Sequence, residues 1–233
     1  MLPKFPGIFH PPGKSEDTPQ ALFRTEHRLI RAADSREILI YATGTCLSNG
    51  QDLPKAGCCF VYRSSAYTQR GDLTHGGTIR FRLEYKGPSG QHYRQTGNRA
   101  ALRSVLAALQ FRDWSKDCNE SWRSIVIATD SKYVASNATE RVKIWEGENW
   151  LTYDDELKCH VDIKNQDLWN SLMERIAELQ SAGVRIRFWN ITEDLNARTI
   201  NFALQACSFH DEANFRVPSY FGPTGVLYMR NRI

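Results

Sequence analysis

The sequence predicts a mixed α/β domain: one sheet with an antiparallel meander on one side, parallel crossovers on the other, and helices on both faces. Two patterns carry this reading. Three β-type segments come in succession before the first helix, and from there strands and helices alternate, giving the order β-β-β-α-β-α-α-β-α over five strands. A third observation sets the scale. At 233 residues the chain is long for one domain of roughly 150 residues and short for two. We therefore read an N-terminal arm (1–36), one domain (37–210) and a C-terminal tail (211–233).

Each element has its own signal. The arm is rich in Pro, Gly, Ser and charge, and only ALFRTEHRLIRAA (21–33) suits a short helix. EILIYAT (37–43) is β-type, LSNGQDLPKAG breaks the pattern with Asn-Gly and Pro, and AGCCFVYR (56–63) resumes it. TIRFRLEY (78–85) alternates, with Ile79, Phe81 and Leu83 on a core face and Arg80, Arg82 and Glu84 on the other, as in a half-buried strand. From Thr96 the period changes. Leu102, Val105, Leu106 and Leu109 recur at helical spacing, which predicts a helix to about Arg112.

SIVIA (124–128) is a short apolar run with β-branched residues, a buried strand that delivers Asp130 at its C-terminal end. A helical stretch over 132–145 and a polar, irregular insertion (146–165) precede a helix carrying Leu168, Leu172, Ile176 and Leu179. VRIRFW (184–189) alternates as a strand, and LNARTINFALQAC (195–207) closes the core as an amphipathic helix. The aromatic tail, with its Pro and Gly breaks, is expected to pack on the domain without regular structure.

Composition narrows the function classes. With 41% hydrophobic and 24% charged residues the chain can build a core, which excludes wholesale disorder. No run approaches the roughly 18 apolar residues of a membrane span, and the first residues place prolines and charges where a signal peptide has its apolar segment. The expectation is no membrane partner and an intracellular protein, cytoplasmic or nuclear. A net charge of +4 permits polyanion binding without announcing it. The six cysteines contain no C-x-x-C pair, which argues against zinc and for reduced thiols, most of them small buried hydrophobes.

Ligands of open sheets gather at the C-terminal ends of parallel strands. The loops ATGTCLSNG, ATDSKYV and NITEDLN should therefore converge, and Asp130 is the foremost carboxylate among them. The competing reading of Asp130 is a helix cap.

Five segments, IYATGTCLSNGQ, QTGNRAALRSVLAALQFRDW, IVIATDSKYV, IKNQDLW and RFWNITEDLN, in this order and with these gaps, closely resemble the type 1 ribonuclease H domain in the version common among filamentous fungi. The resemblance covers about residues 37–207. It implies a five-stranded mixed sheet with helices on both faces. In active members it implies cleavage of the RNA strand of an RNA/DNA hybrid by two Mg²⁺ ions held on four acidic residues.

Position by position, the acids are mostly missing. Thr43 stands where the first aspartate belongs, Ala101 in place of the glutamate, and Ile200 in place of the last aspartate; Asp130 alone matches. Asn98, Arg99 and Ala100 fix the helix register, Gly44 and Cys46 fix the first strand, and Phe188, Trp189 and Asn196 anchor the last helix. Glu193 and Asp194 are the carboxylates that stand near enough in sequence to substitute, with solvated loop charge as the competing reading.

One carboxylate cannot pin two dications, so the resemblance implies a catalytically inactive member with no cofactor, or at most weak metal binding at Asp130. For nucleic-acid contact it points to Asn98, Lys132, Gly44 and Lys164, with an RNA/DNA hybrid or double-stranded RNA as the partner. Helix capping is the alternative for Asn98. Lys143, Lys158 and Arg141 add basic charge around the insertion, diluted by six nearby acids. Trp145, Trp150 and Trp169 are read as core packing. Two rival functions remain: an active hybrid nuclease rebuilt on Asp130, Glu193 and Asp194, and a scaffold that meets a protein partner through the arm or the tail.

Overall fold

The computed structural model describes residues 2–13, 17–24, 28–64, 66–67, 73–74, 76–117, 122–221 and 226–231. In the arm, β1 (Gly7–Ile8), α1 (Pro19–Leu22), β2 (Phe23–Arg24) and β3 (Leu29–Arg31) form in place of the short helix expected over 21–33. One helical turn does start, with Pro19 pre-setting its first φ and the Thr18 hydroxyl accepting from the Ala21 amide at 3.1 Å. It stops at Phe23, where extended backbone gains a pairing partner in β3.

The meander follows as β4 (Asp34–Leu47), β5 (Lys55–Val61), two short strands β6 (Ala66–Tyr67) and β7 (Leu73–Thr74) that pair with each other, and β8 (Thr78–Arg82). β4, β5 and β8 are antiparallel neighbours. On its other edge β4 runs parallel to β9 (Ser124–Thr129), which runs parallel to β12 (Arg185–Asn190). These are the five strands read from the sequence, in the spatial order β8-β5-β4-β9-β12. The arm extends that sheet. β1 adds to β12, while β3 shares an edge of the long β4 with β5, pairing with its first half as β5 pairs with its second.

Helices α2 (Gly97–Gln110), α3 (Lys132–Ser136), a π-helical turn (Asn137–Arg141) and α4 (Val142–Gly147) precede a hairpin of β10 (Leu151–Asp154) and β11 (Cys159–Asp162). The insertion expected to be irregular thus folds as an antiparallel pair. Asp154 makes its turn, accepting from the Glu156 and Leu157 amides, and Lys158 takes the left-handed backbone that closes it. α5 (Gln166–Ser181) and α6 (Glu193–Ala206) complete the helices, and the tail, expected to lack regular structure, pairs β13 (Arg216–Phe221) with β14 (Val226–Asn231).

Successive residues of β4 show how the layers divide. Ile38, Ile40 and Ala42 join the cluster under α2 and α5, whereas Leu39 packs with Phe9, Phe23 and Leu29 of the arm and with Trp189 on the opposite face. The arm is fastened by charge as well: Arg31 and Arg187 both meet the fully buried Glu37, and Arg28 pairs with Asp117 at 2.8 Å. β8 corrects its sequence reading, because Arg82 and Glu84 are buried. The tail folds over them, so that Arg82 meets Asp211, and Glu84 and Arg103 form a buried pair at 2.7 Å.

Trp169 is fully buried and Trp145 stacks edge-on against it at 5.9 Å, with Trp150 6.3 Å from Trp145. Cys58, Cys59 and Cys207 are buried, Cys46 partly so, and Cys159 is exposed on the hairpin; Cys118 lies outside the described residues. Among the described residues no helix is long and apolar enough to cross a membrane.

Candidate nucleic-acid cleft and the aligned acid positions

The three segments expected to converge do meet, although the first of them, ATGTCLSNG, is not a loop: Ala42 to Leu47 form the second half of β4. The parallel register ends at Tyr41 beside Ala128, so Thr43, within β4, and Asp130, just past the end of β9, each follow the last paired residues by two and lie where the two strands part. Gly44 is pressed against α2: a Cβ there would fall on the Ala100 carbonyl carbon and the Ala101 amide nitrogen. That close approach seats Ala101 next to Thr43, and both side chains are buried. From the third direction α6 reaches in, where the buried Asn196 amide donates to Asp130 Oδ1 at 2.6 Å. Ile200, half-buried, follows Asn196 by one helical turn on the same face.

Asp130 does not cap α3. Ser131 does, its hydroxyl accepting from the Val134 amide at 3.3 Å, which leaves the half-buried Asp130 carboxylate for Asn196. Glu193 and Asp194 stand exposed in the first turn of α6, where they complement the positive end of the helix dipole. Among the described residues no three His, Cys, Asp or Glu side chains gather as metal ligands. The donor set at the four aligned positions is one hydroxyl, two hydrocarbon side chains and one carboxylate already engaged by an amide. It does not fit a pair of Mg²⁺ ions, each of which draws on carboxylate oxygens.

Beside this centre lies a polar cleft between the start of α2 and the loop that leads into α5. Asn49, Arg94, Asn98, Tyr133, Lys164 and Gln166 line it, with Asp162 the one carboxylate among its described lining residues. Asn98 is exposed and does not cap α2. Thr96 holds that role, accepting from the Arg99 amide at 3.2 Å, so the Asn98 side chain stays free to face a ligand.

A buried clamp joins the two walls of the cleft. Arg99 makes a bidentate pair with Asp167 at 2.9 and 2.7 Å, reaches Asn165 at 3.2 Å, and lies 3.8 Å from the centre of the Tyr93 ring. Asn165, in left-handed backbone, and Trp169 both donate to the Tyr133 hydroxyl at 3.2 Å, which in turn donates to the Lys164 carbonyl. Lys164 is thereby held at the lip by its own backbone. Lys132, exposed at the start of α3, lies outside the cleft lining, next to Asp130 and Tyr133; Lys143 and Lys158 are exposed farther along α4 and on the hairpin. Sequence reasoning missed Arg94 and Asn49 as lining residues. It also missed the clamp, whose members sit inside the motifs NRAAL and IKNQDLW, where only an Arg and an Asp from separate motifs hinted at a pair.

A mixed five-stranded sheet between helical layers, with its site where the two central strands part, defines an α/β domain of the ribonuclease H kind. The RNase H family model matches residues 35–187, well over half of the chain, and the chain belongs to that family. The Ribonuclease H of Blochmanniella floridana is 28% identical over 137 residues, covering 59% of this chain and 63% of that protein. The Ribonuclease H of Pectobacterium atrosepticum is likewise 28% identical over 137 residues, 59% of this chain and 68% of that protein. This chain thus spans about two thirds of the length of these relatives. A crystal structure of the Prototype Foamy Virus protease-reverse transcriptase superposes with a TM-score of 0.50 at 15% identity, over 81% of this chain and 23% of that one, a likeness of fold alone.

Proposed function

We propose that this RNase H-family domain binds a nucleic-acid duplex, an RNA/DNA hybrid or double-stranded RNA, without cutting it. The observation that carries the proposal is the contrast between the two adjoining sites. Three of four acid positions hold Thr43, Ala101 and Ile200, and the remaining Asp130 is tied to Asn196, so the residues do not offer what a two-ion hydrolysis needs. The cleft beside them keeps Asn98 and Arg94, with Lys164 tied through its carbonyl to the buried clamp, groups that suit ribose hydroxyls and phosphates. Lys132 adds a further cation at the edge, whereas Gly44 serves the packing of β4 on α2.

Hybrid, double-stranded RNA and single strands titrated across a salt series, with Mg²⁺ and Mn²⁺ cleavage run alongside, test this. Phosphate-dominated duplex binding should weaken linearly in log salt, and Lys164→Ala or Lys132→Ala should each flatten the slope by about one unit. Metal-dependent cleavage lost on Asp130→Asn would establish the rebuilt nuclease instead. No binding of any nucleic acid at low salt would leave the protein-scaffold reading.

A further inference from the structure

A second cavity, of about 380 Å³, opens on the face of the sheet away from α2, where the arm meets α6. Phe23 and Leu29 from the arm and Val61 from β5 form a buried apolar wall, beside the buried polar Asn196 and Thr199 of α6. Toward solvent it carries three guanidiniums, Arg24, Arg63 and Arg198, brought from the arm, the loop after β5 and α6. Among the described residues no carboxylate lines it.

Arg28, Arg31, Arg82, Arg99, Arg103 and Arg112 each meet an acid, whereas among the described residues none of the cavity's three is paired with one. Arg24 donates to the Ala21 carbonyl at 3.2 Å and Arg198 reaches the Thr78 hydroxyl at 3.5 Å. Holding three like charges around one apolar hollow costs repulsion that an anion would relieve. Two further groups point to a ligand. Tyr41 lines the hollow, and burial keeps its phenol protonated and able to donate. Asn196 lines it too, and its buried Oδ1, without a hydrogen-bond partner while its amide serves Asp130, is an acceptor for a hydroxyl or amine on the body of a ligand, not for its phosphate oxygens.

We propose that this cavity binds a phosphomonoester with a flat apolar body, on the scale of a mononucleotide. Three guanidiniums match a dianionic phosphate head better than a carboxylate, since arginine offers forked donors and a phosphomonoester carries close to two charges at neutral pH. The apolar hollow takes the body, and a volume of this order lies in the usual range for small-ligand sites. A third of its lining comes from the arm and none of it is shared with the cleft, so it stands independently of the function proposed above.

Calorimetric titration of the full chain with AMP, phenyl phosphate, inorganic phosphate, adenosine and benzoate tests this. AMP and phenyl phosphate should saturate, with phosphate and adenosine each at least about ten-fold weaker. Arg63→Gln and Arg198→Gln should each weaken AMP by about ten-fold, as expected for removing one charged hydrogen-bond partner. Arg24→Gln, at an exposed position that leaves the core intact, should do the same with an unchanged circular dichroism spectrum. Lys164→Ala should leave AMP binding as in wild type. The proposal is overturned if neither phosphomonoester saturates, if the arginine variants bind as wild type does, if Lys164→Ala abolishes binding and so moves it to the cleft, or if benzoate binds as tightly as phenyl phosphate.

Discussion

Gly44→Ala is the sharpest test of how the acidic positions are assembled, because the whole juxtaposition of Thr43 and Ala101 rests on β4 touching the backbone of α2. The added methyl would overlap the Ala100 carbonyl carbon and the Ala101 amide nitrogen, and neither atom can rotate away. α2 is anchored by a run of buried residues from Arg99 to Leu109, so it cannot retreat as a unit without opening the core. Restoring an ordinary contact needs a shift on the order of 1 Å, and overpacking against such rigid neighbours costs about 3 kcal/mol, the upper end of the usual range. For a chain of this length that lowers Tm by roughly 6–12 °C. Gly97→Ala is the matched control. It sits in the first turn of the same helix with nothing near its Cβ, and should be neutral or stabilise by about 0.5 kcal/mol. Thermal melts followed by circular dichroism compare the two. Equal melting temperatures for Gly44→Ala and wild type would mean that α2 does not lie on β4 at this point, and the adjacency of positions 43 and 101 would fall with it.

Glu84→Ala should cost about 3–5 kcal/mol, read as a drop in urea midpoint, because it strands the Arg103 charge in a site where both side chains are 1% exposed. Burial pushes the Cys58 and Cys59 thiols up, so the native state keeps protons that the unfolded chain sheds above about pH 8.5. Their contribution is intact below that pH and is lost as pH rises, at up to about 1.4 kcal/mol per unit for each thiol. A Tm series from pH 7 to 10 should slope downward, and less so in Cys59→Ala; equal slopes would contradict the burial. Asp130→Ala should destabilise by about 1–3 kcal/mol because it leaves the buried Asn196 amide without its acceptor, while Asp130→Asn, which still accepts, should melt within about 0.5 kcal/mol of wild type.

The parts of this fold that were legible are those whose burial leaves a period. SIVIA reads as a buried strand because both faces of β9 are covered, and the spacing of Leu102, Val105, Leu106 and Leu109 marks the face of α2 that meets the sheet. The arm strands were illegible, since two- and three-residue strands are too short to show alternation and exist because β4 and β12 offer them edges. Arg82 and Glu84 misled for a different reason. Alternation assigns charge to solvent, but Glu84 finds its partner Arg103 on α2, and Asp211, the partner of Arg82, lies far along the chain and arrives only with the tail. The acidic positions could be aligned from motif anchors, whereas the Asn196 contact and the three-arginine cavity depend on groups brought together from separate elements.

The one acid and three neutral residues at the aligned positions also follow a single electrostatic logic. Carboxylates at positions 43, 101 and 200 around Asp130 would crowd four like charges where β4 and β9 part, tolerable when dications sit among them and costly otherwise. With neutral residues at three positions, the remaining charge needs one donor, and Asn196 supplies it at 2.6 Å. It follows that putting the acids back, as Thr43→Asp with Ala101→Glu and Ile200→Asp, should lower Tm in EDTA and make it rise with Mg²⁺. The recovery should approach about 2.7 kcal/mol when the ion is a hundred-fold above its Kd. Wild type, measured in the same two buffers, should show no such difference. A triple variant as stable as wild type in EDTA and unmoved by Mg²⁺ would mean that these positions do not share a site, and that the loss of the acids has no electrostatic rationale.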